Sequence, residues 1–129
     1  MDMISQGLAW LDAQRVKFLS RMVVYQRGSE SLELAATIGR TEFEQADEYG
    51  IVHKTQSRDF LVSAADLVIA GATVLPKSGD RVRETTGGQT FVYEVLAQNQ
   101  TGERPPWRYS DPQRRTLRIH TKLIATENA

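Results

Sequence analysis

Gly87 and Gly88 stand between two runs of strand-forming residues in "RETTGGQTFVYEVLA". A two-residue glycine loop suits the positive φ angles of a tight hairpin turn, so this stretch predicts a β-hairpin over residues 81–97. Period-two alternation recurs on both sides of it. "MVVYQR" runs up to Gly28, "LELAATIG" puts Leu32, Leu34, Ala36 and Ile38 on one face before Gly39, and a third extended segment covers residues 50–62. Pro76 and "KSGD" mark a tight connection into "DRVRE".

The strand that closes the pattern is "RRTLRIHTKL", residues 114–123. Leu117, Ile119, Thr121 and Leu123 fall on one side and form a core face. Arg118, His120 and Lys122 fall on the other, in a row about 6–7 Å apart along the strand. Between hairpin and closing strand lies "QNQTGERPPWRYSDPQ", whose three prolines predict a long irregular connection. Ahead of the strands, residues 3–19 predict an amphipathic helix, capped by Asp2, with Ile4, Leu8, Leu11, Phe18 and Leu19 on its stripe and Trp10 off it.

The 129 residues are the size of one domain. The expected architecture is mainly β: a small β-barrel or sandwich of about six strands with an N-terminal α-helix. Its expected parts are a helix over 3–19, a β-rich body over 21–97, a loop over 98–114, a closing strand over 115–124 and a polar tail over 125–129.

Acids and bases balance at 16 each, so an electrostatic partner must be met by a local patch rather than by the field of the whole molecule. With no cysteine, disulfides, thiolate nucleophiles and zinc–thiolate sites are excluded. No apolar run approaches the ~20 residues of a membrane span, and the start of the chain lacks a signal-peptide pattern, so synthesis and folding in a cytoplasm is expected.

Catalytic chemistry leaves no positive trace. His53, Ser57 and Asp59 invite a triad reading, but on one strand His53 and Ser57 stand about 13 Å apart, beyond hydrogen-bond reach. Glu42, Glu44, Asp47 and Glu48 form an acidic loop without calcium-loop spacing or the internal glycine of such loops, so a solvated acidic surface is the reading. The Gly-Gly pair opens no helix that would receive a phosphate. The expectation is a protein without enzymatic activity, metal or cofactor.

Three readings compete for the basic face, comprising Arg114, Arg115, Arg118, His120 and Lys122. It faces solvent, with exposed ion pairs to a strand such as that of Glu94; it meets nucleic-acid phosphates; or it meets an acidic surface such as the 42–48 loop of a second copy. Trp107, Arg108 and Tyr109 in the long loop are candidate partner contacts, in a weak version of the interleaved pattern that stacks on bases.

The order of these features, in "GATVLPKSGDRVRETTGGQTFVYEV" followed by a long loop and "RTLRIHTKLI", resembles the head-tail joining proteins of tailed bacteriophages and prophages. In that resemblance Pro76, Gly79 and Asp80 match the turn leading into a strand, and Tyr93 to Val95 match the hairpin strand. It implies a head-completion or stopper protein of the virion neck, made in the host cytoplasm. Such a chain acts as a homo-oligomeric ring, expected to be a hexamer, between portal and adaptor proteins on one side and tail proteins on the other. Double-stranded DNA passes the ring without sequence preference. A tail-terminator ring subunit and a small OB-like nucleic-acid-binding domain are the alternatives.

Overall fold

A computed structural model describes residues 20–97 and 105–128; the predicted helix over 3–19 lies outside them. Alternating sequence becomes extended backbone almost throughout. The strands are β1 (Arg21–Arg27), β2 (Glu30–Ala46), β3 (Val52–Ser63), β4 (Val68–Ile69), β5 (Ala72–Thr73), β6 (Arg81–Thr86), β7 (Gln89–Val95), β8 (Trp107–Tyr109) and β9 (Thr116–Asn128), with one 3-10 turn at Ala64–Asp66.

The main sheet runs β3-β2-β1-β6-β7-β9-β8, and β3 also pairs with β9. That second pairing joins the ends, so β1, β2, β3, β6, β7 and β9 form a closed antiparallel barrel, which removes most free edges. The turn between β6 and β7 is the expected one: Thr86 pairs with Gln89, and Gly87 and Gly88 take φ of 60° and 78°. Two consecutive positive φ values are what a type I′ hairpin requires, and glycine adopts them without strain.

Inward side chains of every barrel strand meet in one core. Val23, Tyr25, Leu34, Ala36, Phe60, Val62, Val82, Tyr93, Val95, Leu117 and Ile119 are all buried, and Leu67 and Ile69 join them from the segment between β3 and β5. Each fully buried large apolar side chain contributes about 1.5–3 kcal/mol, so this set provides the main drive for closure. Where the apolar residues run out, ion pairs continue the interior. Arg58, two residues before Phe60, lays its guanidinium over the Phe60 and Tyr93 rings and bonds Glu84 at 2.7 Å, while Arg21 reaches the same carboxylate at 2.7 Å.

Four expectations about boundaries and faces are corrected. Strand β2 does not stop at Gly39 but continues to Ala46, because this glycine serves a close approach: a Cβ there would lie 3.1 Å from both the Arg118 Nη1 and the Leu61 Cδ1 atoms. The acidic segment is therefore not a loop but the outer half of a β2–β3 hairpin, paired from Ala36↔Val62 out to Ala46↔Val52. The long connection contains a short strand, β8, which pairs with β9 at Trp107↔Ile119. The closing strand runs to Asn128, taking in most of the expected tail, because β7 supplies partners as far as Gln89↔Asn128.

Candidate functional site

The β2–β3 hairpin outruns the barrel, since β9 pairs with β3 only over residues 58–63. Beyond that point it forms an arm. Register places Thr41/Ser57 and Phe43/Thr55 on one face of the arm and Glu42/Gln56, Glu44/Lys54 and Ala46/Val52 on the other.

At the base of the arm, on the side away from the core, sits a buried polar cluster centred on Asp59. This carboxylate is fully buried and pairs directly with His120 across the β3–β9 ladder. It accepts hydrogen bonds from His120 Nδ1 at 2.9 Å, from Ser57 Oγ at 2.5 Å, from Arg118 Nη1 at 2.7 Å and from the Thr41 hydroxyl. Burial pushes the Asp59 pKa up, but the bonds from His120, Ser57, Thr41 and Arg118 outweigh it and hold the carboxyl at about 2. An ionised carboxylate only accepts, so the hydrogen on His120 Nδ1 points at Asp59. Phe43 covers the imidazole edge-on with centroids 5.4 Å apart.

The basic row is thus divided. Arg118 and His120 are drawn into the Asp59 cluster, and of the three Lys122 alone is exposed, paired across the ladder with Glu94. Arg114 and Arg115 are exposed at the turn before β9, where Asp111 accepts the backbone N–H groups of Arg115 and Thr116 at 3.0 and 2.9 Å. The Arg114 guanidinium lies 5.8 Å over the Tyr109 ring, which in turn packs edge-on against Trp107 at 5.2 Å; Arg108 between them is exposed. Arg108, Arg114, Arg115 and Lys122 therefore share the β8–β9 region without joining the buried cluster.

The acidic residues lie on the arm. Glu42 meets Gln56 at 3.2 Å and Glu44 meets Lys54 at 3.9 Å, both pairs solvent-exposed. Asp47 organises the tip: its Oδ1 accepts the N–H groups of Tyr49 and Ile51, each at 2.9 Å, and its Oδ2 meets His53 Nε2 at 2.9 Å. The His53 contact and these N–H bonds hold the Asp47 carboxyl below its usual range. Glu48 is exposed in the turn.

The sequence separates His53 from Ser57 and Asp59, and so does the structure, which brings His120 to them instead. That juxtaposition is invisible along the chain, because Asp59 and His120 are 61 positions apart. It does not activate a nucleophile. The Ser57 hydroxyl points at Asp59, its distance to the imidazole is 3.4 Å, and both Ser57 and Asp59 approach the same ring nitrogen. A general base must instead take the hydroxyl proton on its free nitrogen.

A second buried carboxylate, Asp80, anchors the turn expected to lead into β6. It takes the Tyr25 hydroxyl, Arg27 at 2.8 Å and the Lys77 N–H at 3.0 Å. Burial raises the Asp80 pKa, and the Arg27, Tyr25 and Lys77 bonds reverse this and lower it. Among the described residues no cluster of three or more His, Cys, Asp or Glu side chains is placed to hold a metal ion, and no helix is long and apolar enough to cross a membrane.

Compared with known families, residues 1–128 match the family model described as phage head-tail joining protein. No curated protein matches the chain.

Proposed function

Because the chain belongs to the phage head-tail joining family, and so is a structural component of the junction between phage head and tail, we propose that it is a head-completion, or stopper, subunit of the neck. It acts as a homo-oligomeric ring, a hexamer in this reading, seated between the portal–adaptor complex and the tail. There it helps to retain the packaged genome, whose double-stranded DNA it meets without sequence preference. It is made in the host cytoplasm and incorporated in the virion.

The observation that carries this reading is the separation of charge on a neutral subunit. On the arm Glu42, Glu44, Asp47 and Glu48 outnumber Lys54, and Arg108, Arg114, Arg115 and Lys122 lie exposed around β8 and β9. Opposite signs on different surfaces of one chain favour a head-to-tail contact, which closes into a ring when repeated about an axis. A free-standing nucleic-acid binder is less well supported, since Arg118 and His120 are bound to Asp59 and not offered to phosphates. A tail-terminator ring would use the same charges but join the tail before it meets the head.

Complementation separates these readings. Purified protein added to tail-less heads from a deletion mutant is expected to bind the connector and restore tail joining. If it binds purified tails and not heads, the terminator role replaces the stopper. If heads lacking it join tails normally, the neck role is lost.

A further inference from the structure

The tip of the arm is apolar at its centre. Tyr49, Ile51 and Val52 are 81%, 58% and 57% exposed, flanked by Asp47 and Glu48. The hydrogen bonds that the Tyr49 and Ile51 N–H groups donate to Asp47 fix this tip in shape, so docking it costs little ordering entropy. Three exposed apolar residues within four positions on a fixed projection offer a contact surface.

A surface of matching character lies on β9. Tyr93 pairs with Leu123 and Val92 with Ala125, so Ile124 is an extra residue in the ladder, a β-bulge. Bulges re-aim side chains, and here Leu123 and Ile124, neighbours that regular alternation would send to opposite faces, are 47% and 40% exposed. Lys122 stands exposed beside them. The tip thus offers an apolar centre with an acidic rim, and the bulge an apolar centre with a basic neighbour.

We infer that the Tyr49–Ile51–Val52 tip of one subunit docks on the Leu123–Ile124 bulge of a second copy of this chain. The acidic rim of the tip faces Lys122. This rests on the ring reading above and gives it a specific contact: the arm is the donor, the bulge the acceptor, and each subunit carries one of each.

The cysteine-free sequence allows a clean test. In the full-length double variant Ile51→Cys, Ile124→Cys, oxidised after incubation with tail-less heads, head-to-tail docking yields a ladder of covalent oligomers up to the closed ring. Each single variant yields dimers at most. If the double variant restores tail joining but its cross-links do not exceed those of the single variants, the docking is wrong and the neck role stands. If wild-type protein neither oligomerises on heads nor restores joining, both fall. Charge exchange gives an independent readout that leaves the core untouched. Glu48→Lys and Lys122→Glu alone each weaken ring formation roughly tenfold, and the two together restore it; failure of the pair to restore assembly overturns the proposed docking.

Discussion

His120 Nδ1 lies 2.9 Å from Asp59 Oδ1, on residues that face each other directly where β3 and β9 close the barrel. The seam is thus held by charge as well as by the ladder, and Arg118 at 2.7 Å completes the pairing. Asp59→Ala removes the common acceptor and leaves a half-buried guanidinium, whose Nε already lacks a partner, without its counter-ion. Such a loss costs about 3 kcal/mol or more. Urea unfolding will show it as a lower midpoint at unchanged slope; a loss under about 1 kcal/mol would mean that water replaces the carboxylate freely.

Acid should open the same seam. An unfolded aspartate titrates near 3.9, whereas Asp59 in the barrel titrates at about 2. The depressed pKa makes its contribution complete above about pH 5 and progressively lost as the pH falls from about 4 towards 2. Asp80 adds to the loss in the same direction. Unfolding free energies at pH 6 and pH 2.5 are expected to differ by about 1–2 kcal/mol on account of Asp59. Asp59→Asn should remove that share of the slope, and an unaltered slope would assign the acid sensitivity elsewhere.

Tyr25→Phe tests the second buried carboxylate with minimal change of shape. Asp80 retains Arg27 and the Lys77 N–H, so the carboxylate loses one hydrogen bond, at a cost of about 1 kcal/mol. Asp80→Ala also strips Arg27 of its partner and should cost at least twice as much in thermal or urea unfolding.

Two glycines are predicted to resist substitution for different reasons. Gly39→Ala puts a methyl group 3.1 Å from Arg118 and Leu61, and should lower stability by about 1–2 kcal/mol while loosening Arg118 from Asp59. Gly88→Val meets open space but a φ of 78°, so its cost, about 1–2 kcal/mol, is backbone strain alone. A Gly39→Ala variant as stable as wild type would show that Leu61 and Arg118 move aside freely.

Much of the architecture was legible because strand and turn signals are local. Alternation over "MVVYQR" and "LELAATIG", and the Gly87–Gly88 pair, report backbone preferences that need no distant partner, and the strands formed where those signals stood. The reading of Gly39 as a stop failed because a glycine that ends a strand and one that lets two side chains pass over it look alike in sequence. The β8 strand was missed for a related reason: "WRY" extends only because the edge of β9 offers it a ladder.

Period two sorts residues into two faces, and for Leu117, Ile119 and Thr121 this alone assigned the core side of β9. It cannot say what stands over a face. Arg118 and His120 were read as open to solvent or a partner, yet a carboxylate 61 residues away in sequence lies opposite, and the low pKa of Asp59 follows from that meeting. Nor does parity survive a bulge, which turned Leu123 from expected core to surface. Sequence determined the strands, the hairpin and the balance of charge, since these depend on neighbours along the chain. Closure of β3 on β9 decided which charges are neutralised and which remain exposed, because electrostatic partners are set by distance in space.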